Sequence, residues 1–192
     1  YQIQLEKGMV VEQDKNSYYQ NPFYLLPAIA SSEWTSSVSG SYIFAPYCRG
    51  IVHPATEEDA DISYTDLLTS SATSFAKTDV ANMASYDKED GDVDGPFVIG
   101  LEAEKKVDDD NTTKLFVFAS TTMFSDDADQ MVSGSNAKLF LSCVSSFAGD
   151  EDGSSIVIPV KEYDTAKVTV SSMTVILAAV GFVVVLPLVL LG

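Results

Sequence analysis

The feature that most constrains this chain is the place where its charge stops. The last acidic residue is Asp164 and the last basic one Lys167; from Val168 to Gly192 no charge occurs and most positions are apolar (VTVSSMTVILAAVGFVVVLPLVLLG). At ~1.5 Å per residue, a helix of this length reaches about 37 Å, against about 30 Å of bilayer hydrocarbon. A buried core helix is the alternative reading, but a core helix of this length keeps a polar face, and this run has none. Pro187 is compatible with a span, because neighbouring groups re-satisfy the backbone it interrupts. The run predicts a single transmembrane helix over 167–192, anchoring a domain over 1–166.

Charge narrows what that domain does. Lys+Arg 11 against Asp+Glu 28 gives a formal net charge of −17. Nucleic-acid binding is disfavoured, because phosphate neutralisation needs clustered Lys and Arg. Docking on anionic lipid through a basic patch is disfavoured for the same reason. A hydrophobic share of 46% is enough for a core and argues against a disordered acidic tail. Lys161 and Lys167 are too few to hold the near side of the span in the cytoplasm. The chain opens on Tyr1 with no signal-peptide pattern. The expectation is a missing upstream signal or span that places the acidic domain outside the cell. There a Cys48–Cys143 disulfide is chemically permitted, but two small buried hydrophobes are the preferred reading.

Patterning along 1–166 predicts an α/β domain. Ile3–Val11 reads as strand, turn and strand around Gly8, and Tyr18–Ala30, broken by Pro22 and Pro27, as extended chain. Ser41–Pro46, Asp66–Ser70, Pro96–Glu102 and Lys114–Ala119 are further strands. The last lacks alternation, as a central strand buried on both faces would. A helix over about 137–148 follows, with Ser135 or Asn136 as N-cap and Gly149 as its end. Phe140, Leu141, Val144 and Phe147 would form its buried face. Ser155–Val160 closes the domain as a strand. Strand, loop, helix and strand in that order predict a crossover unit and a largely parallel, partial Rossmann- or flavodoxin-like sheet.

Several residues in this pattern carry a resemblance. Ala119-Ser120 at a strand end, Ser125-Asp126 after it, Asn136 at a helix start and Phe147-Ala148-Gly149 at its close precede the apolar run. Together with NPFYLLPAIA, GSYIFAPYCRGI, DLLTSS and GPFVIGLEAE upstream, they make the chain resemble the GldG-like family. That family comprises auxiliary components of bacterial ABC transporters, first associated with gliding motility. The resemblance implies an amidotransferase-like or intraflagellar-transport-like α/β domain whose first strands precede Tyr1. It also implies a bacterial cell-membrane location with the domain on the extracytoplasmic side, and permease and ATPase subunits as partners.

Three groups of residues are candidates for chemistry. Asp90, Asp92 and Asp94 before Gly95 spell the opening of a calcium loop, since alternate carboxylates can converge on one hard cation. The twelfth position, however, is Leu101, and a solvated acidic turn is the alternative. Ser120, Ser125 and Asp126 fall near the carboxyl end of a strand, where open α/β sheets bind ligands, although turn and cap chemistry uses the same residues. Thr174, Ala178 and Gly181 share one helical face of the expected span, where small residues let a partner helix approach. Cys48 with His53, the only histidine, is a weak acyl-transfer pair, because Tyr47 and Arg49 are too bulky for a nucleophile elbow.

The chain is thus expected to be no enzyme and to need no cofactor beyond the calcium option. Its leading role is a non-catalytic auxiliary subunit of an ABC transport system. The alternative is a membrane-tethered surface-binding or adhesion domain, calcium-dependent if the Asp90–Asp94 loop is filled.

Overall fold

A computed structural model describes residues 1–54, 61–109 and 111–148. They belong to the compact unit Tyr1–Gly153. The strands in chain order are β1 (Gln4–Leu5), β2 (Met9–Val11), β3 (Tyr24–Leu25), β4 (Ala28–Ile29), β5 (Ala45–Pro46) and β6 (Ile51–Val52). Then come β7 (Ile62–Thr69), β8 (Phe75–Lys77), β9 (Val93–Asp94), β10 (Val98–Lys106) and β11 (Thr112–Phe118). Two helices follow, α1 (Asp126–Met131) and α2 (Ser135–Ser145).

The main sheet runs β1-β6-β10-β7-β4, with β11 also paired to β10. A second sheet, β2-β8-β9, and the β3-β5 pair complete the set. Every one of these pairings is antiparallel. The structure therefore corrects the expected parallel Rossmann- or flavodoxin-like α/β sheet to mostly antiparallel β with two short helices. The physical reason lies in connection length. The two strongest strand signals, around Pro96–Glu102 and Lys114–Ala119, are joined only by the 107–111 turn. There Val107 and Asp108 N–H both donate to the Asn111 carbonyl. A parallel pair needs a crossover of about a dozen residues or more, so these strands return antiparallel. The central strand is β10, flanked by β7 on one side and by β6 and β11 on the other.

Local detail follows the same logic. Around Gly8 the chain does not form one hairpin, because β1 joins β6 while β2 joins β8. Gly8 has φ +87°, and a Cβ there would collide with the Lys77 carbonyl, so only glycine suits this close approach.

Helix α2 turns a different face inward from the one its apolar residues predict. Asn136, Leu139 and Cys143 are buried, whereas Phe140, Leu141, Val144 and Phe147 are exposed. Asn136 decides this orientation. Its Nδ2 donates to the carbonyls of Phe44 (2.7 Å) and Met123 (2.5 Å), and its Oδ1 accepts from Phe44 N–H at 3.0 Å. A buried amide that satisfies three backbone groups fixes the helix azimuth more tightly than nonspecific apolar attraction. The N-cap is Gly134 in the left-handed region (φ 86°), not Ser135 or Asn136. The outward rings lie against one another, Phe140 on Phe124 (5.1 Å) and Phe147 on Phe116 (5.6 Å).

Among the described residues no helix is long and apolar enough to cross a membrane. The transmembrane helix expected over 167–192, with Thr174, Ala178 and Gly181, lies outside the described residues, as does the strand expected over Ser155–Val160. A bacterial-membrane location through a single C-terminal span accordingly finds no support in the structure, and that expectation is withdrawn.

Candidate functional site

An aromatic crevice of about 430 Å³ lies on the surface of the described residues. One wall comes from the first third of the chain: Tyr19, Gln20, Tyr24, Phe44, Pro46 and Tyr47. The other comes from α1 and the residues before it: Thr122, Ser125, Asp127, Ala128 and Met131. The β3-β5 pair positions the aromatic wall, setting Tyr24 opposite Pro46. Tyr24 stands edge-on to Phe44 (5.7 Å, 76°) and to Tyr47 (5.4 Å, 89°), the favoured geometry for aromatic neighbours. The Tyr24 and Tyr47 hydroxyls share a hydrogen bond at 3.2 Å. That bond, with burial second, raises the Tyr47 phenol above its ordinary value, so it stays neutral.

Two backbone positions in this wall are strained. Gln20 (φ 58°) and Tyr47 (φ 55°) occupy the left-handed region without being glycine. Such residues cost about 1–3 kcal/mol and cluster where a site is held in a required shape. Here Tyr47 N–H donates to the Phe23 carbonyl (2.9 Å), and Gln20 Nε2 donates to the Tyr19 hydroxyl (3.0 Å). Both rings remain open to solvent, Tyr19 at 42% and Tyr47 at 47% exposure.

Of the residues singled out from sequence as ligand-binding, the structure brings only Ser125 to this crevice wall. Ser125 is the N-cap of α1 and accepts from Ala128 N–H at 3.3 Å. Asp126 is exposed in the first turn of α1, where a carboxylate complements the helix dipole. Ser120 is buried, and its Oγ donates to the Pro46 carbonyl at 2.5 Å, tying the chain after β11 to a residue that lines the crevice. Helix α1 is not among the elements that the sequence pattern predicts. A further carboxylate there, Asp129, accepts from Ala137 N–H at 2.9 Å and so caps the start of α2.

The three aspartates of the calcium-like loop do not converge. The Asp92 carboxylate, almost wholly buried, accepts from Thr78 N–H (3.0 Å) and Glu89 N–H (2.9 Å) and faces the Lys77 ammonium at 3.5 Å. Asp94 pairs with Lys88 at 2.6 Å, and Asp90 is exposed. Lys77 is buried, donates to the Asp87 carbonyl (2.7 Å) and meets Glu89 at 3.0 Å. An internal ammonium thus takes the central position a divalent ion would need. Burial opposes ionisation of Asp92, but the two N–H groups and Lys77 outweigh it and hold its pKa below the usual carboxylate range. Among the described residues no group of three or more His, Cys, Asp or Glu side chains is placed to hold a metal.

Cys48 and His53 also go to separate partners. The Cys48 thiol donates to the Ala45 carbonyl at 3.0 Å, and burial pushes its pKa far up. His53 stacks on Tyr64 and places its two ring nitrogens against Asp66 (3.1 Å) and the Pro54 carbonyl (2.9 Å). Cys143 is a free, buried thiol as well, pushed up to about 11 by burial and by the nearby Glu102 carboxylate.

The aromatic wall was missed in the sequence reading. Its signal was present as aromatic density in YYQNPFYLLP and SYIFAPYC, but nothing local shows that stretches this far apart share one surface. Comparison with family models, curated proteins and solved structures finds no match for the chain. These comparisons therefore add nothing to the GldG-like resemblance, or to the ABC-transporter role with permease and ATPase partners drawn from it.

Proposed function

We propose that this chain is a non-catalytic recognition domain that takes a small organic ligand into the crevice between Tyr24, Phe44, Tyr47 and α1. The observation that carries this reading is the crevice itself. It combines an open aromatic wall, a neighbouring polar rim and two strained backbone positions held in that wall. A second crevice, of about 390 Å³, has a less apolar lining built on Ser31, Ser32, Thr35 and Ser36. The Ser32, Thr35 and Ser36 hydroxyls already bond within their own turn, which leaves less to recognise a ligand.

The non-catalytic part of the reading rests on the nucleophile and base candidates. Cys48 is buried and protonated, and His53 is engaged by Asp66 and Pro54. The test is a protein-observed NMR screen of neutral and charged organic fragments against the full chain, with labelled Ala and Met methyl groups. Shifts concentrated at Ala128 and Met131 support the reading. If no fragment moves those methyls, the crevice is not a binding site and the proposal fails.

A further inference from the structure

The crevice has a chemistry that narrows its ligand. Its aromatic wall meets at corners: Tyr24 stands at 76° to Phe44 and 89° to Tyr47. Rings at right angles present electron-rich faces in more than one direction, which suits a roughly spherical cation better than a flat ring or an extended chain. The lining also includes Asp127, and among the described residues no Lys, Arg or His lines the crevice. Asp127 takes part in none of the ion pairs among the described residues. The chain as a whole carries −17, so the surrounding field attracts cations and repels anions.

A bare ammonium is strongly hydrated and would give up too much water to enter an apolar corner. A methylated ammonium spreads the same charge over a larger, weakly hydrated surface. Resting on the reading that the crevice binds a small organic ligand, we propose that it takes an organic cation with a methylated ammonium head. The head would sit against Tyr24 and Tyr47, with Asp127 facing it. The hydroxyl pair of Tyr24 and Tyr47 and the Gln20 amide then remain at the rim for any polar tail.

The test uses choline and its uncharged carbon isostere, 3,3-dimethylbutan-1-ol, titrated into the full chain and followed at the Ala128 and Met131 methyls. The expected result is that choline binds about fivefold or more tightly than the isostere, the cation–π and carboxylate contribution. Asp127→Asn changes one exposed side chain, and Tyr47→Gly removes the ring while suiting the left-handed backbone, so both variants should fold. Each should weaken choline several-fold and leave the isostere affected only by Tyr47→Gly. Equal binding of the two probes at the crevice overturns the cation assignment while leaving the recognition reading intact. A trimethyllysine peptide that binds there when choline does not would overturn the small-molecule assignment. If neither small probe moves the crevice methyls while other fragments do, the cation proposal alone is wrong.

Discussion

Replacing Asn136 by Ala is the sharpest perturbation of this fold, because one buried side chain satisfies three backbone groups on two other segments. Asn136 has no solvent exposure, and its loss orphans Phe44 N–H, Phe44 C=O and Met123 C=O together. A buried polar group left unsatisfied costs about 1–3 kcal/mol, and carbonyls tolerate it better than N–H groups. The expected loss is about 3–5 kcal/mol, a large share of the ~5–15 kcal/mol that stabilises a typical domain. Asn136→Asp refines the test. It keeps an acceptor for Phe44 N–H but turns a carboxylate oxygen towards two carbonyls, so the folded state raises its pKa. A raised carboxyl pKa means that the variant is most stable when protonated. Its deficit relative to the native chain should therefore widen as pH rises above about 4. Urea unfolding of the full chain, followed by the single Trp34, measures both variants. An Ala variant that loses less than about 1 kcal/mol, or an Asp variant whose deficit ignores pH, would refute the latch.

Leu139→Ala should cost about 2–5 kcal/mol, whereas Leu141→Ala should stay within about 0.5 kcal/mol, since Leu139 is buried (0%) and Leu141 is 43% exposed. Paired urea titrations decide it, and the reverse ranking would mean that α2 packs with its apolar stripe inward after all. Thiol alkylation of the native chain at pH 8 should be slow at both cysteines and fast after unfolding. With its pKa pushed up to about 11, Cys143 is thiolate in only about one molecule in a thousand, and Cys48 less often still. Rapid native labelling of Cys48 ahead of Cys143, read by peptide mass spectrometry, would contradict the burial assigned to it.

Much of the secondary structure was legible before the fold was known. Pro96–Glu102 and Lys114–Ala119 overlap β10 and β11, Asp66–Ser70 overlaps β7, and the helix expected from about 137 overlaps α2. These elements announce themselves through local β-branched, aromatic and 3.6-residue patterns, which need no partner to be read. Helix α1 was not legible as such. Three aspartates in six residues look like a solvated loop until the Ser125 cap and the dipole they complement are in view. The candidate site was legible only at Ser125. The tyrosines opposite it carry no motif, and their significance comes from being placed edge-on by the β3-β5 pair.

The sequence by itself determined where several strands and the longer helix form, and the negative charge, because each is a property of short windows or of sums. The tertiary structure alone decided the rest. The 107–111 turn is too short for a crossover, so β10 and β11 pair antiparallel where composition had allowed a parallel sheet. Asn136 found its three partners only after distant segments met, and that rotated α2 against its own apolar stripe. Lys77, unremarkable in the chain, reached the middle of the acidic loop and drew Asp92 away from Asp90 and Asp94. Direction of pairing, helix azimuth and the neighbours of a carboxylate are relations between remote segments, and they become determinate only when the chain closes on itself.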